Sequence, residues 1–458
     1  MHRELQRLQE SFSPDDLCMS PGLHDQDIMG EAISHPEYLT DSRISVKIRK
    51  ACTVVRAHGC RYIWIDSCCI DKSSSTELSE AINSMYLWYS NAAICYAFLA
   101  DVPEDDEPDA EGSYFRRSRW FTRGWTLQEL IAPRRVVFLS NQWSAFGTKA
   151  TLAAIVEEIT HIDRAVLFHK KSLDEVSVAE RMSWASKRTT TRIEDQAYAL
   201  LGIFDINMPT LYGEGTRAFR RLQEEILKRI PDQSLFAWDD NHIEPLPKTE
   251  DALVDRRRFS LLTRYSARSL FATSPAEFLR STSIRPVPHS TFFRRLGLSN
   301  VPIPEYASSP YGIRLQLPIL PISSCFSPWS VDYEEFTQSS QWCFALLACE
   351  HSRQPGHLVG RVSRLIPSSH SQLEELQTGF VAITQAQHRS GYPKLFTLSP
   401  SQIRQLRPVL TMRTVYLPHQ GRLLPIKDNP PDLPESLTMV LTPWTSDVLR
   451  KQIGRAHV

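Results

Sequence analysis

The stretch Arg61-Tyr-Ile-Trp-Ile-Asp66 sets the architecture of the first half of the chain. It is short and rich in β-branched and aromatic residues, which is typical of a buried strand. Before it, Ile44, Ile48, Cys52 and Val55 recur at helical spacing, so an amphipathic helix is predicted to lead into the strand. Alternation of helix and strand is the pattern of an α/β fold.

Two further strands, Ala93–Leu99 and Arg135–Leu139, are predicted downstream. A helix precedes each of them: one starts at the capping-box pair Ser74 and Glu77, and one lies around Trp125–Ile131. The long connections between strands leave room for right-handed crossovers and a parallel sheet. We therefore predict a doubly wound α/β core, continued up to residue 230 by a helical extension.

The second half is built from different material. Most of the 30 prolines lie after residue 230, and proline excludes long helices there. Apolar residues alternate from Ile313 to Ile319, which indicates a strand. Further strands are predicted at Trp342–Cys349, His357–Ile366, Thr414–Leu417 and Leu437–Leu441. A β-rich domain, either a sandwich or an open barrel, is expected.

These patterns divide the chain into four parts. We predict an irregular N-terminal segment over 1–43, an α/β domain over 44–240 and a β-rich domain over 241–452. The last residues, 453–458, read as a translated sequencing adapter and are left out of the fold prediction.

Composition narrows the class of protein. The chain has 458 residues, 42% of them hydrophobic and 23% charged, which excludes disorder throughout. Lys plus Arg and Asp plus Glu both number 52, so no nucleic-acid partner is expected. No apolar run is long enough to predict a membrane span, and no secretory signal opens the sequence. The nine cysteines lack a Cys-x-x-Cys pair, so we expect reduced thiols in a cytoplasmic protein and no metal site.

Few residues are candidates for chemistry. Asp66 follows the first predicted strand, where ligands bind in open parallel sheets; it can bind a ribose hydroxyl or simply cap the loop. Trp125 and Glu129 are four residues apart and share a helix face, either beside a ligand or as a partly buried indole with a solvated carboxylate. Cys68 and Cys69 are expected to be small buried residues rather than nucleophiles.

Several segments together resemble the fungal heterokaryon incompatibility (HET) domain. They are Tyr62–Lys72, Ser118–Pro133 with its Gly-Trp-Thr-Leu-Gln-Glu core, Glu180–Arg188, Thr191–Phe204, Leu211–Gly215 and Arg221–Glu225. The second half, from Phe271–Phe278 to Tyr311–Pro318, looks like the C-terminal domain that often follows it.

The resemblance implies a role in non-self recognition after fusion of unlike hyphae, leading to regulated cell death. The HET fold is considered related to the Toll/interleukin-1 receptor (TIR) domain, so the sheet is expected to be TIR-like. Plant members of that group carry a Trp-Cys-x-x-Glu-Leu stretch whose glutamate serves NAD cleavage. Trp125-Thr-Leu-Gln-Glu129-Leu130 matches its spacing, with Thr126 in place of the cysteine.

By this resemblance Glu129 is the predicted catalytic residue, and Trp125, Asp66 and Arg123 are predicted to bind the substrate. NAD would be that substrate, and no resident cofactor is expected. A non-enzymatic module that signals by self-association or protein partners is the alternative, as is a degenerate, inactive member.

The N-terminal region departs from the family pattern. Family members usually open with a Leu-Ser-His-x-Trp-Gly-like motif at the end of a strand. Here Ala32-Ile-Ser-His35 is followed by Pro36 and lacks the Trp-Gly. We therefore expect a truncated N-terminus without the first strand.

Overall fold

The computed structural model describes the greater part of the chain in separate ranges. These are residues 44–60, 62–238, 243–246, 258–262, 269–299, 301–302, 305–325, 331–333, 341–367, 373–378, 380–384, 389–391 and 395–419. The predicted segment 1–43, the predicted strand Leu437–Leu441 and the tail 453–458 lie outside them.

Helices and strands follow in the order set out next. The helices are α1 Val46–Ala57, α2 Ser75–Asn91, α3 Thr126–Ile131, α4 Ala153–Thr160, α5 Arg164–Leu167, α6 Val178–Ser183, α7 Asp195–Tyr198, α8 Arg217–Arg229, α9 His289–Leu296 and α10 Pro400–Leu406. The strands up to residue 309 are β1 Cys95–Phe98, β2 Val136–Leu139, β3 Ala145–Thr148, β4 Glu244–Pro245, β5 Arg258–Leu262, β6 Ile284–Pro286 and β7 Ala307–Ser309. The later strands are β8 Gly312–Pro321, β9 Val331–Tyr333, β10 Gln341–His351, β11 Leu358–Pro367, β12 Glu374–Thr378, β13 Phe380–Thr384, β14 Arg389–Gly391, β15 Leu395–Leu398 and β16 Thr411–Leu417.

The first sheet contains β1, β2 and β3. Strands β1 and β2 are parallel, with Cys95 opposite Val136 and Phe98 opposite Leu139, whereas β3 is antiparallel to β2. The second and third strands predicted from the sequence are therefore confirmed, each slightly shortened. The first half is a mixed α/β structure around a small sheet that contains a parallel pair.

The prediction of a strand at Arg61–Asp66 is wrong for the described residues 62–65, which are extended but lie outside any sheet. A tight turn explains the difference. The Ile65 carbonyl accepts hydrogen bonds from the amides of Cys68 and Cys69, and the Ile65 amide donates to the Cys69 sulfur. Because the turn uses the backbone groups of Ile65, they are not available to a neighbouring strand.

Helices cover both faces of the first sheet. On one face, Val54 of α1 packs against Ile94, Val137 and Leu139. On the other face, Val136 and Phe138 of β2 join the large core cluster that includes α2 and α3. Burial of both faces explains why β2 consists entirely of buried apolar residues.

Helix α2 begins where the sequence predicts. The Ser74 side chain accepts a hydrogen bond from the Glu77 amide, as in a capping box. The Glu77 carboxylate turns instead to the Asp71 amide, 2.7 Å away, and so ties the preceding loop to the first turn of the helix.

In the second half, five strands pair in a closed ring. Strand β11 pairs with β10 and β12, β16 joins β12 to β8, and β8 returns to β10. Strands β15 and β4 extend the sheet from β11, β6 extends it from β10, and β7 from β8. The second half is thus β-rich, as predicted, and its barrel is closed rather than open.

Strand β10 shows how this region packs. Cys343, Ala345 and Leu347 belong to the large core that continues from the first half, whereas Phe344 and Leu346 belong to a second core on the opposite face. The large core therefore crosses the predicted boundary near residue 240, and that boundary stays a prediction.

No helix in the described ranges combines the length and the apolar character that a bilayer crossing requires.

Candidate functional site

A cavity of about 200 Å³ lies on the face of the first sheet that α1 covers. Its walls come from α1, the extended segment 62–66, the end of α2, strand β1 and helix α3. It runs along β1 from Ile94 to Phe98, so it extends across the sheet face and is not confined to the carboxyl-terminal rim at which the sequence placed it. The turn at Ile65 accounts for this position, because segment 62–66 borders the cavity instead of joining the sheet.

The cavity wall combines aromatic rings with a few charged groups. The rings belong to Tyr62, Trp64, Trp88, Tyr89, Tyr96, Phe98, Trp120 and Trp143. The charged groups are Glu129 and Asp66, which are acidic, and Lys47 and Arg123, which are basic. Such a wall suits a ligand with flat rings, polar hydroxyls and anionic groups.

Glu129 is half-buried in α3 and borders this cavity. Burial raises the pKa of its carboxyl group to about 7; Arg123 opposes the rise and Asp66 adds to it. Among the described residues, no donor forms a hydrogen bond or ion pair with the Glu129 carboxylate. The group is therefore available to a ligand and changes its charge near neutral pH.

Three of the four residues predicted to form the site are brought together. Glu129, Asp66 and Arg123 line the same cavity, and the last two are exposed at its edge. Lys47, which sequence reasoning missed, lines it as well, because α1 lies across the sheet face. Its charge also lowers the pKa of Glu129.

Trp125 is placed differently from the prediction. It is not among the cavity-lining residues, although it lies one helical turn from Glu129. Its indole forms a hydrogen bond with Asp195, whose carboxylate also accepts a hydrogen bond of 2.9 Å from the Tyr212 hydroxyl. Burial raises the pKa of Asp195, and these two donors oppose that rise. Trp125 thus serves the packing between α3 and α7.

The aromatic faces of the cavity come from residues that the sequence analysis did not single out. Trp64 packs edge-on against Trp88 and Tyr89, with ring centroids 5.3 and 5.7 Å away. Trp64 belongs to the aromatic stretch 61–66, so its position there was the available signal. Tyr89 keeps its hydroxyl proton, because burial and the charge of Glu129 raise its pKa.

A buried guanidinium supports the start of α3. Nη1 of Arg188 donates to the Arg123 carbonyl and to the Thr126 hydroxyl, each 2.9 Å away, and Nε donates to the Trp184 carbonyl. Burial lowers the pKa of Arg188 to about 10, while the charge of Glu129 acts in the opposite direction. The threonine hydroxyl donates to the Trp120 carbonyl, 2.5 Å away.

Comparison with known proteins agrees with the resemblance seen in the sequence. A family described as "Heterokaryon incompatibility protein (HET)" matches residues 20–111, and a domain of unknown function, DUF8212, matches residues 217–421. The chain is thus a HET-domain protein that carries a DUF8212 domain in its second half. The first match contains Asp66 and ends before Arg123 and Glu129.

The chain is similar to "Vegetative incompatibility protein HET-E-1" of Podospora anserina, with 47% identity over 188 residues. The aligned region covers 40% of this chain and 14% of that relative, so the chain spans only a small part of its length. No solved structure matches the chain significantly.

Proposed function

We propose that this protein is an effector of fungal heterokaryon incompatibility that triggers cell death by cleaving NAD in the cavity around Glu129. The HET-domain match and the similarity to a vegetative incompatibility protein support the biological role. The observation that carries the enzymatic part is Glu129, a carboxyl group with a raised pKa in an aromatic cavity. The two-sided cover of the parallel strand pair supports a TIR-like origin of the α/β region.

The reaction needs little chemical equipment. The bond between the nicotinamide nitrogen and the ribose C1′ breaks, and its electron pair neutralises the pyridinium ring, so no general acid is required. Water adds to C1′ and releases a proton to solvent. The ionised Glu129 stabilises the oxocarbenium-like sugar or accepts a hydrogen bond from a ribose hydroxyl.

The other cavity residues have matching roles in this proposal. Arg123 and Lys47 attract the phosphates, Asp66 binds a ribose hydroxyl, and Trp64 offers a ring face to the base. NAD is the substrate and not a resident cofactor. The protein acts in the cytoplasm through self-association or protein partners, and the free cysteines of the described residues support a reducing compartment.

The test is a comparison of wild type with Glu129→Gln, using Glu80→Gln as the control because Glu80 is exposed on α2 away from the cavity. Purified wild type and Glu80→Gln should release nicotinamide from NAD, and Glu129→Gln should lose the activity. Expression of all three proteins in yeast, with viability and NAD measured together, extends the test to toxicity. If Glu129→Gln remains toxic while NAD stays constant, the protein acts as an interaction module and the enzymatic proposal fails.

A further inference from the structure

The turn that follows the cavity segment exposes two adjacent thiols. Cys68 is exposed and Cys69 is half-buried, so the expectation that both are buried core residues is wrong for Cys68. The amides of both residues donate to the Ile65 carbonyl, at 3.1 and 2.9 Å, which fixes the turn. Neither thiol has a role in the proposed NAD chemistry.

The Cys69 sulfur receives two hydrogen bonds. The Ile65 amide donates to it over 3.4 Å, and the thiol of Cys68 donates to it as well. Hydrogen bonds to a thiolate stabilise it, and the thiolate is the nucleophilic form of cysteine. The fixed turn therefore builds an activated sulfur next to an exposed one.

We propose that Cys69 is a site of reversible covalent modification by small disulfides, and that Cys68 is the neighbouring donor that activates it. In this step the Cys69 thiolate attacks one sulfur of the disulfide. A new sulfur–sulfur bond forms, the original one breaks, and its electron pair leaves with the second half of the reagent as a thiolate. That thiolate takes up the proton that Cys69 lost, so no further oxidant is needed.

The surrounding charges define the expected pH dependence. The hydrogen bond from Cys68 lowers the pKa of Cys69 most; burial raises it, the Ile65 amide lowers it, and the charge of Asp66 raises it. From α1, Cys52 interacts with Cys69 and has a pKa that burial raises, so it stays protonated and unreactive. The balance leaves the pKa of Cys69 below that of an ordinary cysteine, about 8.5.

The test treats the full, reduced chain with glutathione disulfide between pH 6 and 9. Trypsin releases both cysteines in the peptide Tyr62–Lys72, and fragmentation by mass spectrometry locates the adduct. We expect one glutathione on Cys69, removed by dithiothreitol, with a rate that rises with pH and reaches its midpoint below pH 8.5. Buried Cys95 serves as the internal control and should stay unmodified while the protein is folded.

Matched variants separate activation from simple exposure. Cys68→Ala removes the donor, so modification of Cys69 at pH 7 should slow roughly three-fold and its midpoint should move to higher pH. Cys68→Ser keeps a donor and should restore most of the rate. Cys69→Ser and Cys69→Ala should both abolish the adduct in this peptide. The proposal is overturned if glutathione attaches to Cys68 instead, if Cys68→Ala leaves the pH profile unchanged, or if Cys69 reacts only after denaturation in urea.

Discussion

Arg188 and Thr126 are joined by a hydrogen bond of 2.9 Å from Nη1 of the guanidinium to the threonine hydroxyl, although they lie far apart in the sequence. Both side chains are buried, and the same guanidinium nitrogen also binds the Arg123 carbonyl. The bond therefore fixes the first turn of the helix that carries Glu129, as well as the backbone of a cavity residue. The threonine that stands in place of the family's cysteine has a structural use in this position.

Replacing Thr126 by valine should destabilise the protein while keeping its shape. The change leaves the Arg188 guanidinium and the Trp120 carbonyl each short of a buried partner, which costs about 1–3 kcal/mol. Urea unfolding followed by tryptophan fluorescence measures the loss. Thr126→Ser retains the hydroxyl and should lie close to wild type; equal stability of the serine and valine variants would contradict this role of the hydroxyl.

Glu129→Gln should make the protein more stable at high pH and leave it unchanged at low pH. The pKa of the carboxyl is about 7 in the folded protein against an ordinary value of 4.5, so folding favours the protonated form. Its contribution is complete below pH 4.5 and is lost as the pH rises through 7. At pH 8 the variant should gain on the order of 1–3 kcal/mol in unfolding free energy.

Urea unfolding at several pH values, with wild type and Glu80→Gln beside it, measures this difference. The control should follow wild type at every pH. A Glu129→Gln curve parallel to wild type between pH 4.5 and 8 would show that the carboxyl has an ordinary pKa, and would weaken its proposed part in catalysis.

Catalysis has the opposite pH dependence, because the proposed reaction needs the ionised carboxylate. Nicotinamide release by wild type should therefore increase as the pH rises through about 7 and then level off. Initial rates at saturating NAD across pH 5.5 to 8.5 provide the measurement. A rate that falls over this range would indicate that Glu129 acts as an acid, and the proposed electrostatic role would be wrong.

Local signals in the sequence predicted the elements well and their partners less well. The capping residue Ser74 and the apolar stretches around Cys95 and Val136 carry information about their own segments, and the structure confirms those segments. The stretch at Ile65 has the composition of a strand, but the turn formed with Cys69 decides its conformation. Ring closure between β12 and β16 depends on the pairing of Glu375 with Tyr416, which no local pattern reveals.

The candidate site shows the same limit. Helical spacing correctly placed Glu129 on the surface of α3 but left open which partner takes the Trp125 indole. That partner is Asp195, on a distant helix. Likewise, Lys47 reaches the cavity only because α1 packs across the sheet, which is a tertiary contact.

Gly202→Ala should test the packing of α2 against the segment that follows α7. A Cβ atom at residue 202 would lie 2.0 Å from the Cβ of Tyr86, which cannot move without its backbone. We expect a loss of about 3 kcal/mol in unfolding free energy. Gly124→Ala is the comparison, because its new Cβ meets the terminal methyl of Thr190, and it should cost less. Equal losses in urea unfolding would mean that the contact with Tyr86 is not as close as the structure has it.

Trp125 and Trp64 should separate stability from substrate binding. Trp125→Phe removes the indole donor to Asp195, so it should lower the unfolding free energy by about 1–2 kcal/mol and leave the KM for NAD unchanged. Trp64→Leu removes a ring face from the cavity wall, so it should raise KM about five-fold. Tyr212→Phe, which removes the other donor to Asp195, is the control for the first variant and should behave like it. If Trp125→Phe instead raised KM at unchanged stability, the indole would contact the substrate as the sequence first suggested.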